Sequence, residues 1–170
     1  MARKPEYLQE FLELSAELCG FSLFALRGTG YAIGYYLTVE GIVGPEILQR
    51  LFEAFKKLPS GSAKARDEAL RAQLLSNEEL GPVARNIMKL WFVSTWYELP
   101  GAWHEKFGGC GNDRTFIPFA YAYPEGLLWP GVGSHPPGAK PTGYASWEGR
   151  PVFREFKGDP MLWDDEAEAS

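Results

Sequence analysis

Three side chains in the second half of the chain have the chemistry of metal ligands. They are His104, Cys110 and His135, with Asp113 as a possible fourth ligand. Zinc sites combine imidazole, thiolate and carboxylate ligands at short paired spacings such as C-x-x-C or H-E-x-x-H. The sequence contains neither spacing. A small metal-dependent enzyme that uses His104, Cys110 and His135 therefore stays an alternative, and we predict no metal ligands.

Nucleophilic catalysis would need a serine or cysteine held beside a base. Ser134 and His135 are neighbours, but adjacent side chains rarely face each other, and the surrounding residues 131–135 do not form a G-x-S-x-G elbow. Paired acidic residues occur at 78–79, where a helix is expected to begin, and at 164–165, in an acidic tail. We therefore predict no catalytic residue in this chain.

A glycine-rich stretch at 28–34, Gly-Thr-Gly-Tyr-Ala-Ile-Gly, has the spacing of a dinucleotide-binding loop. Such a loop needs a preceding strand, a following helix and a complete βαβ unit. An amphipathic helical pattern precedes this stretch instead, and no repeated βα pattern follows. We interpret it as a tight loop that glycine permits, and we predict no cofactor bound to this chain.

Aromatic residues are unusually frequent, at 15% of the 170 residues, and all six tryptophans lie from Trp91 onward. Aromatic rings can stack on the apolar faces of sugars, which keeps a stand-alone sugar-binding module among the alternatives. Core packing requires the same residue types. Aromatic residues are also enriched in protein interfaces, so a partner subunit is the interpretation we favour.

Length and charge limit the remaining classes of function. A chain of 170 residues fits one domain, which we place at 1–160, followed by an acidic tail at 161–170. The net charge of -5 argues against general nucleic-acid binding, which needs a basic face. No apolar run is long enough for a transmembrane helix, and the first residues do not have the pattern of a secretory signal. Cys19 lies in an apolar helical pattern and is expected to be buried.

The elements that must position these residues are helices. Apolar spacing predicts helices at 5–19, 45–58, 63–75 and 78–98, with a capping box at 76–79 before the last of them. Residues 100–160 show little periodicity, although a short helix fits within 120–129. The predicted fold is mainly α: a small helical domain with a long irregular C-terminal half rich in proline, glycine and aromatic residues.

Three stretches carry a family resemblance: Asn86–Tyr97, Ala120–Trp129 and Gly143–Trp147. Together with the patterns at 11–18 and 49–55, they resemble the small subunit of bacterial FAD-dependent sugar and polyol dehydrogenases, the sorbitol dehydrogenase small-subunit family. The resemblance covers about residues 7–150 and rests on aromatic helix patterns, without any ligand set.

The resemblance implies a non-catalytic subunit of a heterodimer. The large subunit, a flavoprotein of the glucose-methanol-choline type, would carry FAD and oxidise a sugar, polyol or glucoside. Electrons would leave through that partner to a cytochrome c or an iron–sulfur cluster. This chain would assist the folding, cofactor loading and export of its partner in the periplasm. Small subunits of this family often carry a twin-arginine signal, which is not seen here. Either the signal was removed, or the large subunit carries it, or the complex is cytoplasmic.

The interface with that partner is predicted at the helix end 91–97, the loop 99–118 and the loop 127–147. The residues expected to contact the partner are aromatic side chains and two histidines: Trp91, Trp96, Tyr97, Trp103, His104, Tyr121, Tyr123, Trp129, His135, Tyr144 and Trp147.

Overall fold

The computed structural model describes residues 7–108, 111 and 113–136, and it confirms a mainly helical chain. The α-helices run in the order α1 Leu8–Cys19, α2 Leu23–Gly28, α3 Ala32–Val43, α4 Pro45–Lys56, α5 Ala63–Ala69, α6 Leu80–Val93, α7 Gly101–Phe107 and α8 Leu128–Gly131. A π-helical turn, Leu70–Leu75, continues α5, and a 3-10 turn, Tyr123–Glu125, precedes α8.

Helices α1 and α4 match the amphipathic patterns that predicted them. Each buries one apolar stripe, which includes Phe11 and Leu14 in α1 and Leu51 and Phe52 in α4. Gly20 ends α1 with a φ of 72°, a left-handed conformation that glycine adopts without strain. Both helices therefore begin and end close to where capping chemistry places their boundaries.

The region 21–44 forms two helices, so the interpretation of 28–34 as a loop is wrong for most of its length. Ser22 begins α2, where its Oγ accepts a hydrogen bond from the backbone N–H of Ala25 at 3.2 Å. Only the turn between α2 and α3 remains irregular, with Gly30 at a φ of 80°. Gly34 lies inside α3, where tertiary burial of Tyr35 and Val39 outweighs the low helix propensity of glycine.

Helix α6 is shorter than its predicted range of 78–98. The cap is Asn77, whose Oδ1 accepts hydrogen bonds from the backbone N–H groups of Glu79 and Leu80, each at 2.9 Å. The helix ends at Ser94, which has a φ of 54°. The hydroxyl of Tyr35 donates to Ser94 Oγ at 3.1 Å, which holds the helix end against α3.

After α6 the chain continues as an extended segment, residues 95–99, which hydrogen bonds hold on two sides. Trp96 and Phe116 exchange both backbone hydrogen bonds, at 2.9 and 3.0 Å. On the other side, the amide of the buried Asn86 donates to the backbone O of Tyr97 and accepts from its N–H. These contacts explain why the apolar pattern beyond residue 93 is not helical: the backbone finds partners outside the helix.

Helix α7 falls in the region where the sequence shows little periodicity. Its Trp103 is buried and donates from Nε1 to the backbone O of Glu79 at 2.8 Å, which ties α7 to the start of α6. The short helix expected within 120–129 appears as the 3-10 turn and α8. Between them, the backbone N–H of Leu127 donates to the backbone O of Trp91.

One hydrophobic core joins the two halves of the chain. Trp91, 1% exposed, lies 6.2 Å from Phe11 of α1 and 5.0 Å from Tyr35 of α3 between ring centroids. Trp96 and Trp103 are buried as well. Trp91, Trp96 and Trp103, which the sequence analysis predicts as contacts with a partner, therefore lie in the core of the chain itself.

Candidate interaction surface

The carboxylate of Asp113 organises the irregular region after α6. Its Oδ1 accepts a hydrogen bond from Trp96 Nε1 at 2.6 Å. Its Oδ2 accepts from the backbone N–H of Leu99 and from Nε2 of His104, both at 2.8 Å. The side chain of Asp113 is 1% exposed. Three donors thus compensate the burial of one negative charge and connect the 95–99 segment, α7 and the 113–116 segment.

The pair of His104 and Asp113 resembles the base and its orienting group in many hydrolases. Nε2 of His104 binds Asp113, so Nδ1 is the ring nitrogen that a substrate or nucleophile would have to approach. The His104 side chain is 27% exposed. Catalysis would also need a nucleophile beside that nitrogen.

Within the described residues no three His, Cys, Asp or Glu side chains come close enough to hold a metal ion. Cys110, the third member of the alternative metal set, lies outside the described residues.

A depression of about 520 Å³ lies beside this cluster, lined by Ile42, Gly111, Asp113, Arg114 and Phe116. Most of the Asp113 carboxylate's hydrogen-bonding capacity is already used within the chain, so Arg114 is the charged side chain best placed to meet a ligand here. The depression marks where the 113–116 segment lies against the C-terminal end of α3.

Three residues of the predicted interface have almost no surface to offer a partner. Trp91, Trp96 and Trp103 are buried in the chain's own core. Contacts with α1, α3, α6 and Asp113 occupy these rings. The chain itself covers most of the apolar side chains in the stretch 90–97, including Leu90, Trp91 and Trp96.

Other predicted contact residues do lie at the surface. Tyr97, Tyr121 and Tyr123 are exposed, and Tyr121 reaches 85%. His104, Trp129 and His135 are half-buried. Trp129 packs edge-on against Tyr123 at 5.2 Å between ring centroids and donates from Nε1 to the backbone O of Tyr123. Tyr144 and Trp147 lie outside the described residues, as does the boundary predicted at 160.

A second group of exposed apolar side chains was not expected from the sequence. Ile33 and Leu37 of α3, Phe24 of α2 and Ile117 stand in solvent, with Phe24 87% exposed and Leu37 52% exposed. The spacing of Ile33 and Leu37 is one helical turn, so recognising α3 as a helix with apolar residues all round would have indicated them.

Phe119 places the 117–121 segment against α3. Its ring lies 5.5 Å from that of Tyr31 and 6.0 Å from that of Tyr35, between centroids. A Cβ built on Gly34 would lie 2.4 Å from Phe119 Cζ, so the ring rests directly on the glycine. Ile117 and Tyr121 therefore flank the same helix that carries Ile33 and Leu37. We call Ile33, Leu37, Ile117 and Tyr121 together the α3 face.

No family model, curated protein or solved structure matches the chain. Among the described residues, none of the helices has the length and apolar character needed to cross a membrane.

Proposed function

We propose that this chain is the non-catalytic small subunit of an FAD-dependent sugar, polyol or glucoside dehydrogenase and binds the flavoprotein subunit. The observation that carries the proposal is the exposure of large apolar side chains on the α3 face. An ordinary monomer scatters such side chains singly, whereas a group of them marks an interaction surface. The family resemblance of the stretches 86–97, 120–129 and 143–147 supports the identity of the partner.

In this proposal the two subunits divide the work. The flavoprotein of the glucose-methanol-choline type binds FAD and oxidises the sugar, and it passes electrons to a cytochrome c or an iron–sulfur cluster. This chain contributes binding surface that stabilises the flavoprotein while FAD is loaded. The resemblance also places the complex in the periplasm, with the cytoplasm as the alternative.

Co-expression tests the proposal. The candidate flavoprotein from the same genome is produced with and without this chain, and soluble yield, bound flavin and sugar-dependent dye reduction are measured. We expect all three to rise when this chain is present, because binding stabilises the native flavoprotein over its unfolded state. Equal values in both preparations would refute the proposal. Sugar binding or turnover by the isolated chain would favour the alternative of a sugar-binding module or a small enzyme.

A further inference from the structure

The depression beside Asp113 has the size of a site for a small molecule. Its volume of about 520 Å³ lies within the range of about 300–1,000 Å³ that is typical of ligand pockets. Two of its lining side chains, Ile42 and Phe116, are apolar, and a third, Arg114, is a cation. Ligand sites combine apolar walls with a few charged or polar groups that fix the orientation of the ligand. This lining therefore favours a ligand with an apolar part and a negative charge.

Arg114 differs from the other arginines in the part of the chain that the structure describes. Five of them donate a hydrogen bond to another residue: Arg27, Arg50, Arg66, Arg71 and Arg85. The exposed guanidinium of Arg114 has no such partner among the described residues. Its fork of N–H donors is therefore available to a ligand in the depression.

The chain fixes the backbone on both sides of Arg114. Asp113 accepts three hydrogen bonds, and Oγ1 of Thr115 accepts one from a backbone N–H at 3.0 Å. Phe116 exchanges two backbone hydrogen bonds with Trp96. The segment that carries the guanidinium is thus held in one conformation by the chain itself. Such preorganisation lowers the entropy cost of binding a ligand.

The neighbouring carboxylate does not close the depression to an anion. The Asp113 side chain is 1% exposed, and its oxygens face donors from Trp96, Leu99 and His104. Its negative charge still weakens the attraction of Arg114 for an anion. We therefore expect a modest affinity, with a Kd of about 0.1–1 mM for a ligand of about ten non-hydrogen atoms.

We propose that the depression between the C-terminal end of α3 and the 113–116 segment binds a small organic carboxylate with an apolar body. Arg114 holds the carboxylate through two N–H groups of its fork, and the apolar body covers Ile42 and Phe116. Inorganic phosphate fits less well, because these two side chains offer it no hydrogen bond. This binding site goes beyond the proposed function and does not depend on it.

Titration of the full chain with three probes tests the proposal. Benzoate carries both a ring and a charge, benzamide has the ring without the charge, and acetate has the charge without the ring. We expect benzoate to bind saturably with a Kd of about 0.1–1 mM in about 0.1 M salt. The other two probes should bind at least about tenfold more weakly, because each lacks one of the two contacts. In amide NMR spectra, benzoate should shift the signals of Ile42, Gly111, Arg114 and Phe116 most.

Substitution of Arg114 separates this site from general electrostatic attraction. We expect Arg114→Gln to raise the Kd for benzoate at least about tenfold. Arg114→Lys should raise it only about threefold, because an ammonium group keeps the charge without the fork. The matched control is Arg71→Gln, which removes the same charge from an exposed arginine of the π-helical turn. Its Kd should stay within about twofold of the wild-type value.

Several results would overturn the proposal. They are the absence of saturable benzoate binding up to about 10 mM, equal Kd values for the three probes, and spectral shifts confined to other parts of the chain. Equal losses for Arg114→Gln and Arg71→Gln would show attraction by net charge alone and would also overturn it.

The melting temperature of the variant separates binding from folding. Arg114 is exposed, so Arg114→Gln is expected to melt within about 2 °C of wild type. A clear drop would show that the chain itself uses this guanidinium and would contradict the proposed site. All of these measurements use the isolated chain, so their outcome is independent of the co-expression experiment that tests the proposed function.

Discussion

At the scale of single residues, Asp113 explains how an irregular region keeps a defined conformation. A buried carboxylate is unfavourable unless it is hydrogen-bonded, and here indole, backbone and imidazole donors from Trp96, Leu99 and His104 converge on it. The same geometry that suggested a catalytic pair therefore has a structural role that accounts for all three contacts.

Replacing Asp113 with Asn tests this role. An amide of nearly the same shape has one oxygen and one NH2 group, so at least one of the three donors would face another donor. We expect Asp113→Asn to lower the free energy of unfolding by about 2–4 kcal/mol, measured by urea denaturation. Asp67→Asn is the control, since Asp67 is exposed and pairs with the exposed Arg71, and we expect it to cost at most about 0.5 kcal/mol. Equal costs would contradict the role assigned to Asp113.

Cys19 is buried at the end of α1, as its apolar context predicted, and burial raises the pKa of its thiol to about 12. The unfolded chain ionises this thiol near pH 9. Between about pH 9 and 12 the folded state therefore binds one proton more than the unfolded state. The neutral thiol therefore makes its full contribution to the free energy of unfolding below about pH 9. This contribution is lost as pH rises from about 9 to 12.

A stability profile of wild type and Cys19→Ala checks this pH dependence. From pH 7 to 8.5 the difference in unfolding free energy between the two proteins should be constant. Above pH 9 the wild type should lose about 1.4 kcal/mol per pH unit more than the variant. Tyrosine and lysine titration is common to both proteins and cancels in the difference. A difference that stays constant up to pH 11 would contradict a raised thiol pKa.

At the scale of elements, α3 is the helix on which the proposed interface depends. One side packs Tyr35, Tyr36 and Val39 into the core, while the other carries exposed aliphatic side chains and, at Gly34, the ring of Phe119. A side chain at position 34 would push Phe119 away and with it the segment that brings Ile117 and Tyr121 to the α3 face. The absence of a side chain at Gly34 therefore lets Phe119 pack on α3, and this packing positions Ile117 and Tyr121 beside the helix.

Two glycines of α3 give a matched pair of substitutions. Gly34→Ala gains helix propensity but displaces a packed ring, and we expect a net loss of about 1–3 kcal/mol in unfolding free energy. Gly41→Ala meets no atom within 4 Å and should gain about 0.5–1 kcal/mol from propensity alone. Chemical denaturation followed by circular dichroism measures both. Stabilisation by both substitutions would show that Phe119 does not rest on Gly34.

At the scale of the whole molecule, the aromatic residues serve two purposes. Trp91, Trp96 and Trp103 fill the core that joins the N-terminal helices to the irregular region. Phe24 and Tyr121 lie outside the core and are almost fully exposed. Large exposed rings of this kind are unusual on the surface of an acidic domain that binds nothing.

The sequence by itself determined the helical class, the positions of α1 and α4, and the burial of Cys19, because local periodicity and capping residues act within a few positions. It could not locate α7, the end of α6 at Ser94, or the helix through Gly34. Each depends on a distant partner: Glu79 for Trp103, Tyr35 for Ser94, and Phe119 for Gly34.

The tertiary structure alone decided which aromatic residues are core and which are surface. Composition cannot separate the two uses, since packing and binding both favour large rings that bury much area. Long-range contacts place Trp96 beside Asp113 and leave Tyr121 in solvent, although both lie in the aromatic second half of the chain. For the same reason the start of α3 is a helix, where the glycine pattern at 28–34 predicted only a tight loop.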